Sequence, residues 1–312
     1  MPIIFISRGT MSGVHLLVDC LHSKTGIRCI SHEDLVKDVN KHGEIAARVL
    51  EKLDEAASAY DQFSELRWPF MVLMRKALLE EFRNDSVVYH GYSSHLLLPA
   101  FRHFVRVRIE APLEMRVTMT MQRLACDEEK ARKYIIDADD QRVKWARFMY
   151  AHDIRDIMLY DIILNLNRVT LEATCGIIER IMAEKDFQAT PESRAEVEQL
   201  YLATKIEESL VTDPRTATLE IRADVQPDGI RLIGPYIEDA ELKTIMEIVQ
   251  TVCGTQNVRY SPGYASKFED NRNFRFREKW IMDTYKNHNL IKASGGKTQW
   301  MKTNITNRSH PL

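Results

Sequence analysis

The residues best suited to chemistry lie near the start of the chain, in 2-PIIFISRGTMSGVHLL-17. An apolar run, a polar turn with two glycines and an amphipathic segment predict a strand, a loop and a helix. Backbone N–H groups in such a loop, together with the dipole of the helix N-terminus, bind anions such as phosphate. Arg8 and His15 would supply positive charge, because the loop has no lysine. The stretch therefore predicts a phosphate-binding loop.

The loop keeps part of the composition that phosphate binding requires. Its candidate binding residues are Ser7, Arg8, Gly9, Thr10, Ser12, Gly13, Val14 and His15. Gly13 would allow the closest approach of backbone to an anion, whereas Met11 and Val14 place side chains where such a loop prefers glycine. A strand, turn and helix are also the ordinary connection of any α/β protein, so the loop alone does not decide between binding and a plain connection.

Arginines farther along the chain could complete a phosphoryl-transfer site. Such a reaction needs cations around the transferred group and a lid that excludes water. Arg116 and Arg123 are seven residues apart, two turns along one helix face, and Arg142 and Arg147 belong to the next predicted helix. We name Arg116, Arg123 and Arg142 as candidate catalytic residues. The alternative is that they are solvated or ion-paired surface arginines.

Short apolar runs alternating with helical patterns predict the elements that position these residues. Predicted strands are 27–30, 86–91, 104–111 and 160–167, in addition to the first one; predicted helices are 12–24, 31–57, 66–82, 113–125, 127–150 and 170–185. This alternation favours a parallel sheet covered by helices on both faces.

The pattern changes after residue 186. A charged helix over 191–211 precedes strands at 216–225 and 229–234, a helix at 237–252 and a strand at 255–260. This β-β-α-β order predicts a small α+β domain. We place the domains at 1–186, 187–212 (a linker helix), 213–262 and 263–312, the last a basic and flexible tail. From Arg259 to the end there are 11 Lys/Arg against 4 Asp/Glu.

Composition excludes few classes of function. The formal net charge of −2 indicates no global preference for nucleic acid, although the basic tail leaves an electrostatic partner open. Five scattered cysteines without metal-ligand spacing are interpreted as reduced thiols of a cytoplasmic protein, with no metal site. No run has the length of a membrane span, so we expect no integral membrane association.

Five segments, taken in order, resemble the cytidylate kinase-like proteins, which are P-loop nucleoside monophosphate kinases. The segments are 7-SRGTMSGVH-15, 87-VVYHGYS-93, 111-APLEMR-116, 128-EEKARKYIIDADDQR-142 and 160-YDIILN-165. The resemblance covers about residues 3–185. It implies a P-loop NTPase-like parallel sheet flanked by helices, with transfer of a phosphoryl group from ATP, with Mg²⁺, to CMP, dCMP or a related monophosphate.

A second resemblance concerns the small domain. Residues 214–261, and 229-GIRLIGPYIEDAEL-242 in particular, resemble a BON domain, which implies a protein partner or a homo-oligomer. The kinase-like part departs from its family at Met11, Val14 and Tyr92, the last standing where an arginine usually grips the acceptor phosphate. Two functions therefore remain open: an active kinase, or an inactive nucleotide-binding regulator that acts through the small domain.

Overall fold

The computed structural model describes residues 2–39, 64–83, 86–254 and 257–263, which all belong to one compact unit, Met1–Glu269. Residues 40–57 of the helix predicted over 31–57 and almost all of the basic tail lie outside these residues. The described helices are α1 (Val14–Thr25), α2 (His32–Val39), α3 (Ser64–Phe82), α4 (Leu113–Leu124), α5 (Glu128–Tyr150), α6 (Leu171–Ala183), α7 (Pro191–Thr212) and α8 (Asp239–Cys253).

The larger of the two described sheets is parallel throughout, as the sequence predicts. Its strands are β1 (Ile3–Arg8), β2 (Arg28–Ser31), β3 (Val87–Gly91), β4 (Phe104–Glu110) and β5 (Ile162–Asn165), in the order β2-β3-β1-β4-β5. Since β1 is central and the strand order reverses beside it, its carboxyl end lies where ligands bind in open α/β sheets. The loop after β1 is therefore at the expected place for a site.

Helices cover both faces of this sheet. One face of β1 carries Ile3 and Phe5 into an apolar cluster built with α3, α5 and the start of α7. The other face carries Ile4 and Ile6 into a cluster built with α1 and α6. Alternate residues of one strand thus enter two cores, which explains why the strand reads as a continuous apolar run.

A smaller sheet follows, built of β6 (Arg222–Gln226), β7 (Gly229–Gly234) and β8 (Val258–Pro262). β7 pairs antiparallel with β6 and parallel with β8. Helix α7 contributes its first half to a core of the larger sheet and its second half to the core under the smaller sheet. Helix α7 is therefore part of the cores of both sheets. The β-β-α-β order is confirmed, while the domain bounds and the relation to BON domains stay predictions.

Two sequence expectations need correction. The strand predicted over 216–225 begins only at Arg222, because residues 213–219 form hydrogen-bonded turns in which the N–H groups of Thr216 and Ala217 donate to the Asp213 carbonyl. The cysteines are not all free thiols, since Cys20 on α1 and Cys175 on α6 form a disulfide. No helix among the described residues is long and apolar enough to span a membrane.

Candidate functional site: the loop after strand β1

The loop joining β1 to α1 adopts a conformation with two left-handed residues. Met11 has a φ of 55° and Gly13 a φ of 78°. Glycine takes this conformation without strain, whereas a side chain such as that of Met11 costs about 1–2 kcal/mol there. The backbone thus follows the path of a glycine-rich loop although one of the two positions carries methionine.

Val14 does not obstruct this loop. As the first residue of α1 it is 1% exposed and packs in the core formed by α1 and α6. The view that its side chain replaces a glycine facing the anion is therefore wrong for Val14. Its backbone N–H still belongs to the first turn of the helix.

A carboxylate from α5 already binds the loop. Asp139 Oδ1 accepts hydrogen bonds from the Thr10 backbone N–H at 3.0 Å and from Thr10 Oγ1 at 2.6 Å. Its other oxygen accepts from Arg116 Nη2. Burial alone would raise the pKa of Asp139, but the hydrogen bonds from Thr10 and Arg116 outweigh it and hold the pKa below its ordinary value. The loop therefore holds an anion supplied by the chain itself.

Two of the three predicted catalytic arginines meet at this carboxylate. Arg116 donates through Nε to the Thr10 carbonyl at 2.7 Å, and its guanidinium lies where a side chain on Gly9 would meet it. Arg142 donates to Thr10 Oγ1, and its Nη1 lies 3.6 Å from Asp139. Burial lowers the pKa of Arg142, although arginine remains charged.

The third arginine is elsewhere. Arg123 is exposed in the last turn of α4, and no hydrogen bond or ion pair among the described residues joins it to the loop. Arg147 pairs with Asp153 at 2.6 Å. The helical spacing that places Arg116 and Arg123 on one face is real. The loop lies against the first two turns of α4, where Met115 and Met119 approach Gly13, and Arg123 in the last turn lies beyond it.

Tyr92 lies between two arginines beside the same loop. The Arg142 guanidinium carbon is 3.6 Å from the centroid of its ring, and that of Arg8 is 5.2 Å away. Its backbone carbonyl accepts a hydrogen bond from Ser7 Oγ at 2.8 Å. Cation–π contacts of this kind hold arginines in place without neutralising them. The ring thus contacts two cations beside the loop.

Of the remaining predicted loop residues, one is ion-paired, one is exposed to solvent and one is buried without a hydrogen-bond partner among the described residues. Arg8 pairs with Glu33 at 3.2 Å, and His15 is exposed on α1. Ser12 is 2% exposed, and its hydroxyl has no hydrogen-bond partner among the described residues. A buried hydroxyl without a partner costs about 1–3 kcal/mol, which suggests a ligand.

Asp139 was not among the site residues predicted from the sequence, although it lies in the segment 128–142 named above. The signal was available, because Asp139 and Arg142 are three residues apart and lie on one face of a helix. What the sequence could not give was the packing that brings this face of α5 against the loop after β1.

Comparisons with known proteins point to one family. The profile of the cytidylate kinase-like family matches residues 3–168. The cytidylate kinase of Ignicoccus hospitalis is 28% identical over 184 residues, which cover 58% of this chain and 99% of that protein. The cytidylate kinase of Sulfolobus acidocaldarius is 23% identical over 187 residues, covering 60% and 97%.

Two solved structures are each similar to more than half of the chain. An uncharacterized protein from Eubacterium ventriosum covers 58% of this chain and 97% of its own, with 22% identity and a TM-score of 0.44. A shikimate kinase from Bacteroides thetaiotaomicron covers 59% and 99%, with 14% identity and a TM-score of 0.36. The family profile ends at residue 168, before α6, and so does not reach the smaller sheet.

Proposed function

The chain belongs to the cytidylate kinase-like family, and on this premise we propose that it transfers a phosphoryl group from ATP to CMP, dCMP or a related nucleoside monophosphate. The observation that carries the proposal is the convergence of Arg116, Arg142 and the Thr10 N–H on one anion at the carboxyl end of β1. Phosphoryl transfer depends on such prearranged positive groups more than on covalent chemistry by the protein.

Each of these residues would have a distinct task. The backbone of Thr10 to Gly13 would bind a phosphate through its N–H groups at the start of α1. Arg116 and Arg142 would offset the negative charge that develops on the transferred group. Tyr92 would keep Arg142 oriented through the ring contact at 3.6 Å. Arg8, which ends β1, would stay beside its partner Glu33 at the edge of the site.

The loop also fits a nucleotide that carries Mg²⁺. Mg²⁺ prefers hard oxygen ligands and is held in kinases mostly by phosphates, with one or two protein oxygens. The buried Ser12 hydroxyl, which has no partner among the described residues, is such an oxygen at the correct end of the loop. When bound, the metal would neutralise phosphate charge. Ser12 would help hold it or a phosphate oxygen.

A second function is favoured by specific features of the same site. Met11 adds a side chain at a positive φ that glycine would adopt freely, and Tyr92 stands where the resemblance predicts an arginine that grips the acceptor phosphate. A protein of this kind would bind nucleotide without transfer and would signal through the smaller sheet, which shares helix α7 with the larger core. The BON resemblance would then supply a protein partner or a second copy of the chain. We propose a cytoplasmic location for either function, because both use the nucleotide pool.

One assay separates the two functions. Purified full-length protein is incubated with ATP, Mg²⁺ and a panel of ribo- and deoxyribonucleoside monophosphates, and diphosphate products are measured together with ATP binding by calorimetry. The kinase proposal expects diphosphate from at least one pyrimidine monophosphate. ATP binding without any product would favour the regulator. Absence of both binding and product in folded protein would reject the two proposals together.

A further inference from the structure

We propose that Asp139 is an internal ligand of the phosphate loop, which a polyphosphate group must displace before nucleotide can bind. The inference rests on the proposed function, since it assigns regulation to the same loop. Its ligand class is the chain of linked phosphates found in nucleoside di- and triphosphates, because these carry several charged oxygens. A small monovalent anion would not compete with a carboxylate that the fold holds in place.

The coordination of Asp139 is that of a bound anion. One of its oxygens accepts from a backbone N–H and a hydroxyl of Thr10, and the other accepts from Arg116. Arg142 approaches the first oxygen at 3.6 Å. A loop N–H that precedes a helix N-terminus, flanked by two arginines, is the environment expected for a phosphate oxygen. The carboxylate therefore stands in for a phosphate.

The carboxylate fills this environment only in part. All of its bonds to the loop go to Thr10, while the Ser12 hydroxyl in the same loop stays buried with no partner among the described residues. A carboxylate has two oxygens and a terminal phosphoryl group has three. The larger group could satisfy the groups that Asp139 now binds and also the Ser12 hydroxyl. This gives a polyphosphate the advantage needed for exchange.

The position of Asp139 on α5 allows such an exchange. Its side chain is 35% exposed, so the carboxylate can be solvated when it leaves the loop. The first half of α5 packs with α4 in a separate small cluster of Val117, Ala131 and Ile135. Only the second half, from Val143, joins the core of the larger sheet. Asp139 thus lies between the second half of α5, which is fixed in the core of the larger sheet, and the first half, which packs in the small cluster with α4.

The test uses Asp139→Asn and, as a matched control, Asp140→Asn in the full-length protein. Asp140 is the next residue and has the same charge. Its carboxylate pairs with Lys144 Nζ at a distance of 2.6 Å and does not bind the loop. Inorganic tripolyphosphate and ATP are titrated by calorimetry. Asp139→Asn removes the competing charge while keeping the side-chain size, so it should bind tripolyphosphate at least tenfold more tightly than the parent. Asp140→Asn should stay within twofold of the parent.

Other outcomes overturn the proposal. Equal or weaker binding by Asp139→Asn would make Asp139 a positioning residue for Arg116 and Arg142. Absence of tripolyphosphate binding in every variant would show that the loop is no phosphate site. If Asp139→Asn does not fold alone, tripolyphosphate added during refolding should restore the folded state by replacing the lost anion. Failure to restore folding would contradict the proposal. Tighter binding by Asp139→Asn without turnover in the parent would keep this inference and reject the kinase.

Discussion

Two clusters of arginine and carboxylate in this molecule use the same chemistry for different ends. In one, Arg75 on α3 pairs with Glu207 on α7 at 3.1 Å, and the two side chains are 4% and 0% exposed. Glu207 also accepts the Ala223 N–H of β6 at 3.0 Å. In the other, Asp139 bridges Arg116 and the loop while remaining 35% exposed.

The difference shows how a structural ion pair is distinguished from an exchangeable one. Glu207 joins three elements and lies out of reach of solvent, so any exchange would require separating α3, α7 and β6. Asp139 can exchange its partners for water, and the buried Ser12 hydroxyl of the loop that it binds has no partner among the described residues. Burial of an ion pair alone therefore does not indicate a ligand site. Access of the carboxylate to solvent, together with a buried hydroxyl in the same loop that lacks a hydrogen-bond partner, does.

The largest expected effect comes from breaking the structural pair. Glu207→Gln removes the charge that compensates the buried Arg75, and breaking a buried pair on one side commonly costs about 3–5 kcal/mol. We expect a loss of this size in the free energy of unfolding, measured by urea denaturation. Tripolyphosphate should not restore it. Recovery of stability with that ligand would contradict the contrast drawn between the two clusters.

Breaking the exchangeable cluster should affect activity more than stability. Arg116→Ala removes a cation that contacts both Thr10 and Asp139, and loss of one such group commonly lowers the turnover number about 10²-fold. The turnover number is measured with the best monophosphate from the panel. Arg155→Ala serves as control, because Arg155 binds only the nearby Asp153 in the described part of the chain. Similar losses in both variants would remove Arg116 from the site.

The larger sheet could be predicted from the sequence, because buried parallel strands give apolar runs and the helices between them give a 3.6-residue period. The loop could be predicted as well, from Gly13 and its place after the first strand. The role of Asp139 could not, since it depends on packing between elements far apart in the chain. The structural role of α7 was missed for the same reason: its apolar face serves two cores, which a charged helix between two domains does not reveal.

A smaller effect is expected from the strained residue of the loop. Met11→Gly replaces a side chain at a φ of 55° with the residue that adopts this conformation freely, and relief of that strain is about 1 kcal/mol. The free energy of unfolding should rise by this amount in urea denaturation. Val14→Gly should instead destabilise the protein, because Val14 is packed in a core. A fall in stability for Met11→Gly would show that other contacts of its side chain hold the loop.

The smallest expected effect is on the pH dependence of the free energy of unfolding. It distinguishes a buried histidine of the fold from the carboxylate bound to the loop. Burial, with weaker help from Arg194, lowers the pKa of His103 from its ordinary value to about 4. The unfolded chain therefore binds the proton first, and stability present above pH 6.5 is lost as the pH falls towards 4. This histidine alone should cost about 1 kcal/mol between pH 6.5 and 5.5.

His103→Phe keeps a ring against Phe104, which lies 4.9 Å away, and should flatten the slope of unfolding free energy against pH by that amount. Asp139, whose pKa is held below its ordinary value, contributes no slope in this window. An unchanged slope in His103→Phe would mean that other groups carry the acid response.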